Sequence, residues 1–342
     1  MALEFSWQMP LCGPGGAPDW AARPGQWIQL AQAVEYAGID GLWIPGGAQC
    51  ADSLGVAAAL CAHTRRVHLT VSVPPEVMLP AALASTVQSL QSISANRVRL
   101  HLPDSEQGSL RSAFGEWLNR DQRNERIGEY LEILDHLLAE ADGGFNYSGH
   151  YFQLENAGFA RRPLPAPALI LDDSQSSALI ASHARFCLLR SAPPHWLRQE
   201  VERLRGTERP SDRPLGFACA FGLVLGDTEE QAWEAASRQL AAHLTPLPTA
   251  AASVIRLPRD RQPLRHFEIH PNLVQLQPGQ PLYLVGTPHQ VATRLQELHG
   301  LGLEHIVIQG QPAVSEVLRF AERILPLLDD QGLRKEPFQH AQ

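Results

Sequence analysis

The sequence predicts an α/β chain closed as a single (β/α)₈ barrel. Three observations predict it. Strand-like and helix-like runs alternate from end to end. Eight of those runs are short, apolar and bounded by turn residues. The chain has 342 residues, 44% of them hydrophobic and 19% charged, which supplies a core large enough for one big barrel.

The eight strand runs are FSWQMPL (5–11), GLWIPG (41–46), VHLTVSV (67–73), RVRLHL (97–102), ALILD (168–172), RFCLLRS (185–191), LGFACAFGLVLG (215–226) and HIVIQG (305–310). Helical spacing of apolar residues falls between them, at 26–38, 52–63, 80–93, 123–140, 175–183, 195–205, 228–244, 287–299 and 315–328. In TEEQAWEAA, Thr228 is a suitable N-cap, and Glu229 and Glu230 suit the positive end of the helix dipole. Two stretches exceed the minimal repeat. Residues 141–165 have the turn residues and aromatics of a short hairpin, and 245–286 are Pro-rich and weakly periodic, an insertion of the sort that forms lids in barrels. Residues 1–330 read as one domain with these insertions, and 331–342 as a tail.

Composition excludes several partners. Net charge is −8 and no long Lys/Arg run occurs, which argues against nucleic acid. No apolar run is long enough to cross a membrane, and the N-terminal residues do not read as a signal peptide. Five scattered cysteines without a CxxC predict a reduced, cytoplasmic chain. No metal site is expected. HFEIH (266–270) places His266, Glu268 and His270 on one face of an extended segment, but three such residues in a loop are a weak ligand set. No GxSxG or P-loop occurs.

The junction ALILDDSQSSALIA (168–181) is the most informative stretch. A strand ends where a helix begins, a place that suits an anion, yet Asp172 and Asp173 stand there. Like charges about 6 Å apart repel by roughly 3 kcal/mol at an effective dielectric near 20. A phosphate beside two ionised aspartates would lose several kcal/mol unless they turn aside. An Asp-Ser pair before a helix is also an ordinary cap, with Asp173 as the capping residue.

Several stretches in order resemble the luciferase-like flavin monooxygenases, in particular their alkanesulfonate branch: IPGGAQCADSLGVAA (44–58), RIGEYLEILDHLL (126–138), FNYSGHYFQLENA (145–157), GDTEEQAWEAA (226–236), FEIHPNLV (267–274) and LYLVGTPHQVATRLQELHGLGLEHIVIQGQP (282–312). The resemblance runs from about residue 5 to 330. It implies an enzyme that activates dioxygen on reduced FMN delivered by an NAD(P)H-dependent flavin reductase, assembled as a homodimer or homotetramer. It places Cys50 and Cys12 at the catalytic centre, and Ser72, Arg120, Arg123, Ser174, Gln175 and Ser176 around the flavin. Trp7, Met9, Trp43, Phe221 and Gln311 would line a pocket for a small, largely apolar substrate.

The chain also departs from the pattern. Where that branch carries a histidine after the first strand, Cys12 stands. Its strand-7 arginine and histidine are replaced by Ala220 and Gly222, and a tyrosine after the last strand by Gln311. A sulfonate needs cationic donors, so a sulfonate substrate is not expected. Two readings stay open: a flavin-dependent monooxygenase of changed substrate, or a diverged barrel without flavin that does other chemistry or only binds.

Overall fold

The structure is a computed structural model and describes residues 2–11, 23–47, 50–104, 112, 114–139, 144–159, 164–209, 214–241, 263–275, 281–311 and 313–334. Eight parallel strands close the barrel: β1 (Glu4–Gln8), β2 (Gly41–Ile44), β3 (His68–Ser72), β4 (Val98–Leu102), β7 (Ala168–Asp172), β8 (Phe186–Leu189), β9 (Gly216–Leu225) and β13 (His305–Gln309). Each pairs with the next in that order, β8 with β9, β9 with β13 and β13 with β1. The remaining strands are β5 (Phe145–Ser148), β6 (Gln153–Ala157), β10 (Glu268–His270), β11 (Leu273–Val274) and β12 (Tyr283–Gly286). β5 and β6 form the expected hairpin. The 245–286 stretch is not structureless: β10, β11 and β12 continue the sheet from the far half of β9.

The helices are α1 (Pro24–Tyr36), α2 (Ser53–Cys61), α3 (Pro80–Ser94), α4 (Arg120–Leu138), α5 (Ser177–His183), α6 (Pro194–Arg205), α7 (Glu229–Ala241), α8 (Pro288–Gly300), α9 (Val314–Arg323) and α10 (Leu325–Asp329). Local chemistry explains their starts. Asp52 Oδ1 accepts the Gly55 N–H at 2.6 Å and caps α2. Asn119 with Gln122, and Thr287 with Gln290, form capping boxes on α4 and α8. The run expected as one helix over 315–328 is two, because Pro326 has no N–H to continue α9 and instead opens α10.

Strand alternation sets the barrel's interior. Phe5 and Trp7 of β1 point outward and meet Phe320 of α9 at ring-centroid distances of 5.4 and 6.1 Å. Their neighbours Glu4, Ser6 and Gln8 point inward. Glu4 reaches Arg99 of β4 across the barrel at 2.8 Å, Ser6 Oγ meets His305 Nε2 at 2.8 Å, and Gln309 donates to Gln8 at 2.9 Å. The apolar faces therefore pack under the helices, and much of the barrel's interior is polar.

An apolar patch interrupts that polar interior: Trp43, Ile170, Phe186 and Val307 pack together, with Leu188 and Ala220 against them. The hairpin is tied to α4 through Glu129, whose carboxylate accepts the N–H groups of His150, Tyr151 and Phe152 at 2.6, 2.9 and 3.1 Å.

Candidate functional site

The C-terminal ends of the barrel strands surround a cleft of about 710 Å³, within the range of cofactor and ligand sites. Gly46 and Gly47 border it after β2, Pro74 after β3, and Pro103 and Asp104 after β4. Asp172, Asp173 and Ser174 close the side at the end of β7, and Leu188 to Pro193 with Trp196 the side at the end of β8. Phe114, Pro193 and Trp196 contribute apolar surface to the wall.

The two aspartates of the β7 turn go to different partners. Asp172 Oδ1 meets His101 Nε2 at 2.9 Å, and its Oδ2 accepts the Asp104 N–H at 2.8 Å. Asp173 Oδ2 accepts the backbone N–H and Nε–H of Arg190 at 3.1 and 3.3 Å. Burial raises the Asp173 pKa, against the pull of those hydrogen bonds and the Arg190 charge. Neither carboxylate caps α5. Ser176 holds the N-cap position without a side-chain bond, so the expected Asp173 cap is corrected. The reason is geometric: α5 starts four residues beyond Asp173, while Arg190 at the end of β8 lies beside it.

His101 is a residue that sequence reasoning passed over. Its Nδ1 lies 2.8 Å from Ser72 Oγ, and the Ser72 carbonyl accepts the Ser53 hydroxyl at 2.7 Å. Trp43 lies against the imidazole, centroids 4.9 Å apart. The available signal was period two: in VRLHL, Arg99 and His101 share the inward face.

The other expected site residues divide. Ser174 lines the cleft, and Ser72 lies beneath it, buried. Gln175 is buried and donates to the Leu102 carbonyl at 3.3 Å, while its Oε1 has no partner among the described residues. It borders a smaller cavity beside the cleft together with Arg123, Glu76 and Asp104. Arg123 donates to the Leu118 carbonyl at 3.2 Å, and its Nε is likewise buried and unused there. Arg120 is exposed on the first turn of α4 and borders neither cavity.

Several expected site residues lie away from the cleft lining. Trp7, Met9 and Phe221 are fully buried in the main core and do not line the cleft. Their strands expose apolar side chains to the helices rather than to the mouth. Gln311 is exposed beyond β13 and is not part of the lining. Cys50 is disulfide-bonded, so it has no S–H to offer a ligand, and the expectation of a fully reduced chain does not hold. Cys61, Cys187 and Cys219 are free and buried. Cys12 lies outside the described residues. Trp43 is buried in the barrel's interior beneath the cleft. No cluster of three metal-ligating side chains occurs among the described residues. No helix among them is long and apolar enough to cross a membrane.

The residues present fit a flavin. The cleft matches its size, Phe114, Pro193 and Trp196 offer its ring apolar surface, and the unused Arg123 Nε, beside the smaller cavity, is a buried cationic donor.

A family model described as luciferase-like monooxygenase matches residues 3–305. The EDTA monooxygenase from Chelativorans sp. BNC1 superposes with a TM-score of 0.75 at 18% identity, covering 100% of this chain and 97% of that one. A long-chain alkane monooxygenase gives 0.76 at 16% identity, covering 98% and 93%. The oxygenating constituent of 3,6-diketocamphane monooxygenase from Pseudomonas putida, solved in complex with FMN, gives 0.70 at 17% identity, covering 99% of both. At such identities the structures speak for the barrel alone, but the family model spans most of the chain, and with it this protein belongs to the luciferase-like monooxygenases.

Proposed function

We propose that the protein is a flavin-dependent monooxygenase of the two-component kind. It takes reduced FMN from an NAD(P)H-dependent flavin reductase and acts on a small, uncharged organic molecule. The observation that carries this reading is the disposition of Asp172 and Asp173. One is held by His101 and the Asp104 N–H, the other by Arg190. Each carboxylate is thus engaged by a partner of its own while still bordering the cleft, and Ser174 lines the cleft beside them. In this reading Ser174 and Arg123 hold the phosphate, and Phe114, Trp196 and the prolines flank the ring.

When bound, reduced FMN supplies the electrons that activate dioxygen. The chain's own part is to hold it, to exclude water behind apolar walls and to place the substrate. An anionic substrate fits poorly. Asp104, Asp172 and Asp173 border the cleft, and Arg190, the cation among the lining side chains, is already paired with Asp173.

Calorimetric titration tests the reading. FMN is expected to bind with micromolar affinity, and Asp172→Asn and Asp173→Asn are expected to change that affinity by less than threefold. Absence of binding at millimolar flavin would sink the proposal.

A further inference from the structure

We infer that Asp173 and Arg190 form a specificity edge that reads an uncharged cyclic amide, Asp173 Oδ1 taking its ring N–H and the Arg190 guanidinium its carbonyl oxygen. The inference names a substrate class and rests on the reading of the cleft as the substrate site. Both side chains line the cleft, and Trp196 lines it beside them. Asp173 Oδ2 takes the backbone N–H and the Nε–H of Arg190, at 3.1 and 3.3 Å. That leaves Asp173 Oδ1 and both terminal nitrogens of Arg190 without a partner among the described residues. Oδ1 also keeps access to its surroundings, unlike the buried, partnerless Oε1 of Gln175.

An acceptor and a donor therefore stand side by side on one wall of the cleft. The arginine is held in place by its backbone and Nε bonds to Asp173, and its Cζ lies 5.2 Å over the Trp196 ring. Its terminal N–H groups are thus preset in one plane. A cis amide, as in a lactam, carries its N–H and C=O on one edge and matches that pair. A ketone offers only the acceptor. A lactone sets a ring oxygen against Oδ1, and a trans amide points its two groups to opposite sides. Charge selects in the same direction. The Asp173–Arg190 pair is neutral as a whole, Asp104 and Asp172 border the same cleft and disfavour an anion, and the guanidinium disfavours a cation at the edge. Asp172 does not compete for the ligand's N–H, because its two oxygens are engaged by His101 and the Asp104 N–H. Phe114 and Pro193 offer apolar surface to the rest of the ring. A polar edge left unpaired by the wrong ligand costs that ligand roughly fivefold to a hundredfold in affinity.

Calorimetric titration with 2-quinolone and with coumarin tests this. The two have nearly the same shape, and coumarin carries a ring oxygen where 2-quinolone carries an N–H. The wild type should prefer 2-quinolone by about tenfold or more. In Asp173→Asn the side-chain amide keeps its oxygen on the Arg190 N–H groups and turns its NH₂ to the ligand, a donor where an acceptor stood. The preference should then fall below about threefold, while FMN affinity stays within threefold of the wild type. Arg190→Met should weaken both probes, since both carry the carbonyl. No binding of 2-quinolone at millimolar concentration, equal affinity of the wild type for the two probes, a preference kept by Asp173→Asn, or an unchanged 2-quinolone affinity in Arg190→Met would overturn the inference. So would a loss of FMN affinity on Asp173→Asn as large as the loss for 2-quinolone, which would give the edge to the flavin's own imide group. FMN titration of the wild type separates the two readings. The preference without FMN binding keeps the edge and removes the flavin, and FMN binding without the preference removes the edge alone.

Discussion

Asp173 and Arg190 are bonded twice, through the backbone N–H and the Nε–H of the arginine, although Asp173's side chain is 6% exposed and Arg190's 64%. The arginine also lies over the Trp196 ring at 5.2 Å, so one side chain covers both the carboxylate and an aromatic wall of the cleft. Exposure of the guanidinium weakens its Coulombic hold, and burial wins: the Asp173 pKa is raised.

Replacing Arg190 with Gln should therefore destabilise the protein in a pH-dependent way. A carboxylate whose folded pKa lies above its unfolded value stabilises the fold only while protonated, and that contribution is lost as pH rises through the folded pKa. Without Arg190 the ionised form costs more. Urea unfolding should show a loss of about 1 kcal/mol at pH 7.5 that shrinks as the pH is taken down toward the carboxylate range. An equal loss at both ends would place Arg190's role in packing on Trp196.

The Glu4–Arg99 pair inside the barrel predicts an acid limit. Burial alone would raise Glu4, but Arg99, with the nearby histidines His305 and His68, outweighs it and holds the pKa at about 2. Burial pushes His305 down to about 3 from an ordinary value of 6.5. Both folded values are depressed, so both groups contribute stability that is present above their unfolded values and lost as pH falls. Stability should decline from about pH 6.5, where His305 of the unfolded chain begins to bind a proton, down toward pH 2. Arg99→Met should cost roughly 3–5 kcal/mol by leaving Glu4 without its arginine, and Glu4→Gln with Arg99→Met should recover much of it. Denaturation midpoints that are the same for the single and double variants would refute this.

The hairpin gives a local prediction. A Cβ on Gly149 would stand 2.2 Å from Glu129 Oε2, the carboxylate that accepts three N–H groups of the β5–β6 connection. Gly149→Ala should displace Glu129 and speed amide hydrogen exchange at 150–152 by about tenfold or more, the effect of losing one to two kcal/mol of local protection. Exchange in β1 to β4 should stay as in the wild type. Unchanged exchange at the hairpin would mean that the turn is held by its own ladder.

Much of the architecture was legible because strand and helix periods are local properties. All eight runs expected as barrel strands form them, and the helix-period runs between them form helices. The hairpin was visible in its turn residues. β10, β11 and β12 were not, because segments of two to four residues carry too little alternation to stand out in a Pro-rich stretch.

The sequence by itself determined the (β/α)₈ order and singled out the β7 turn as the place where charge matters. Periodicity says which side chains share a face, and it does not say which face is inside. Only closure of the barrel turned Glu4, Ser6, Ser72, Arg99, His101 and His305 inward, and Trp7 and Phe221 toward the helix shell, since apolar surface must be buried under helices. Closure likewise joined residues far apart in the chain: Ser72 to His101, His101 to Asp172, and Asp173 to Arg190. Those contacts, which depend on the register of neighbouring strands, decided that the two aspartates of the turn are occupied, and that one of them ends a line of hydrogen bonds running under the cleft.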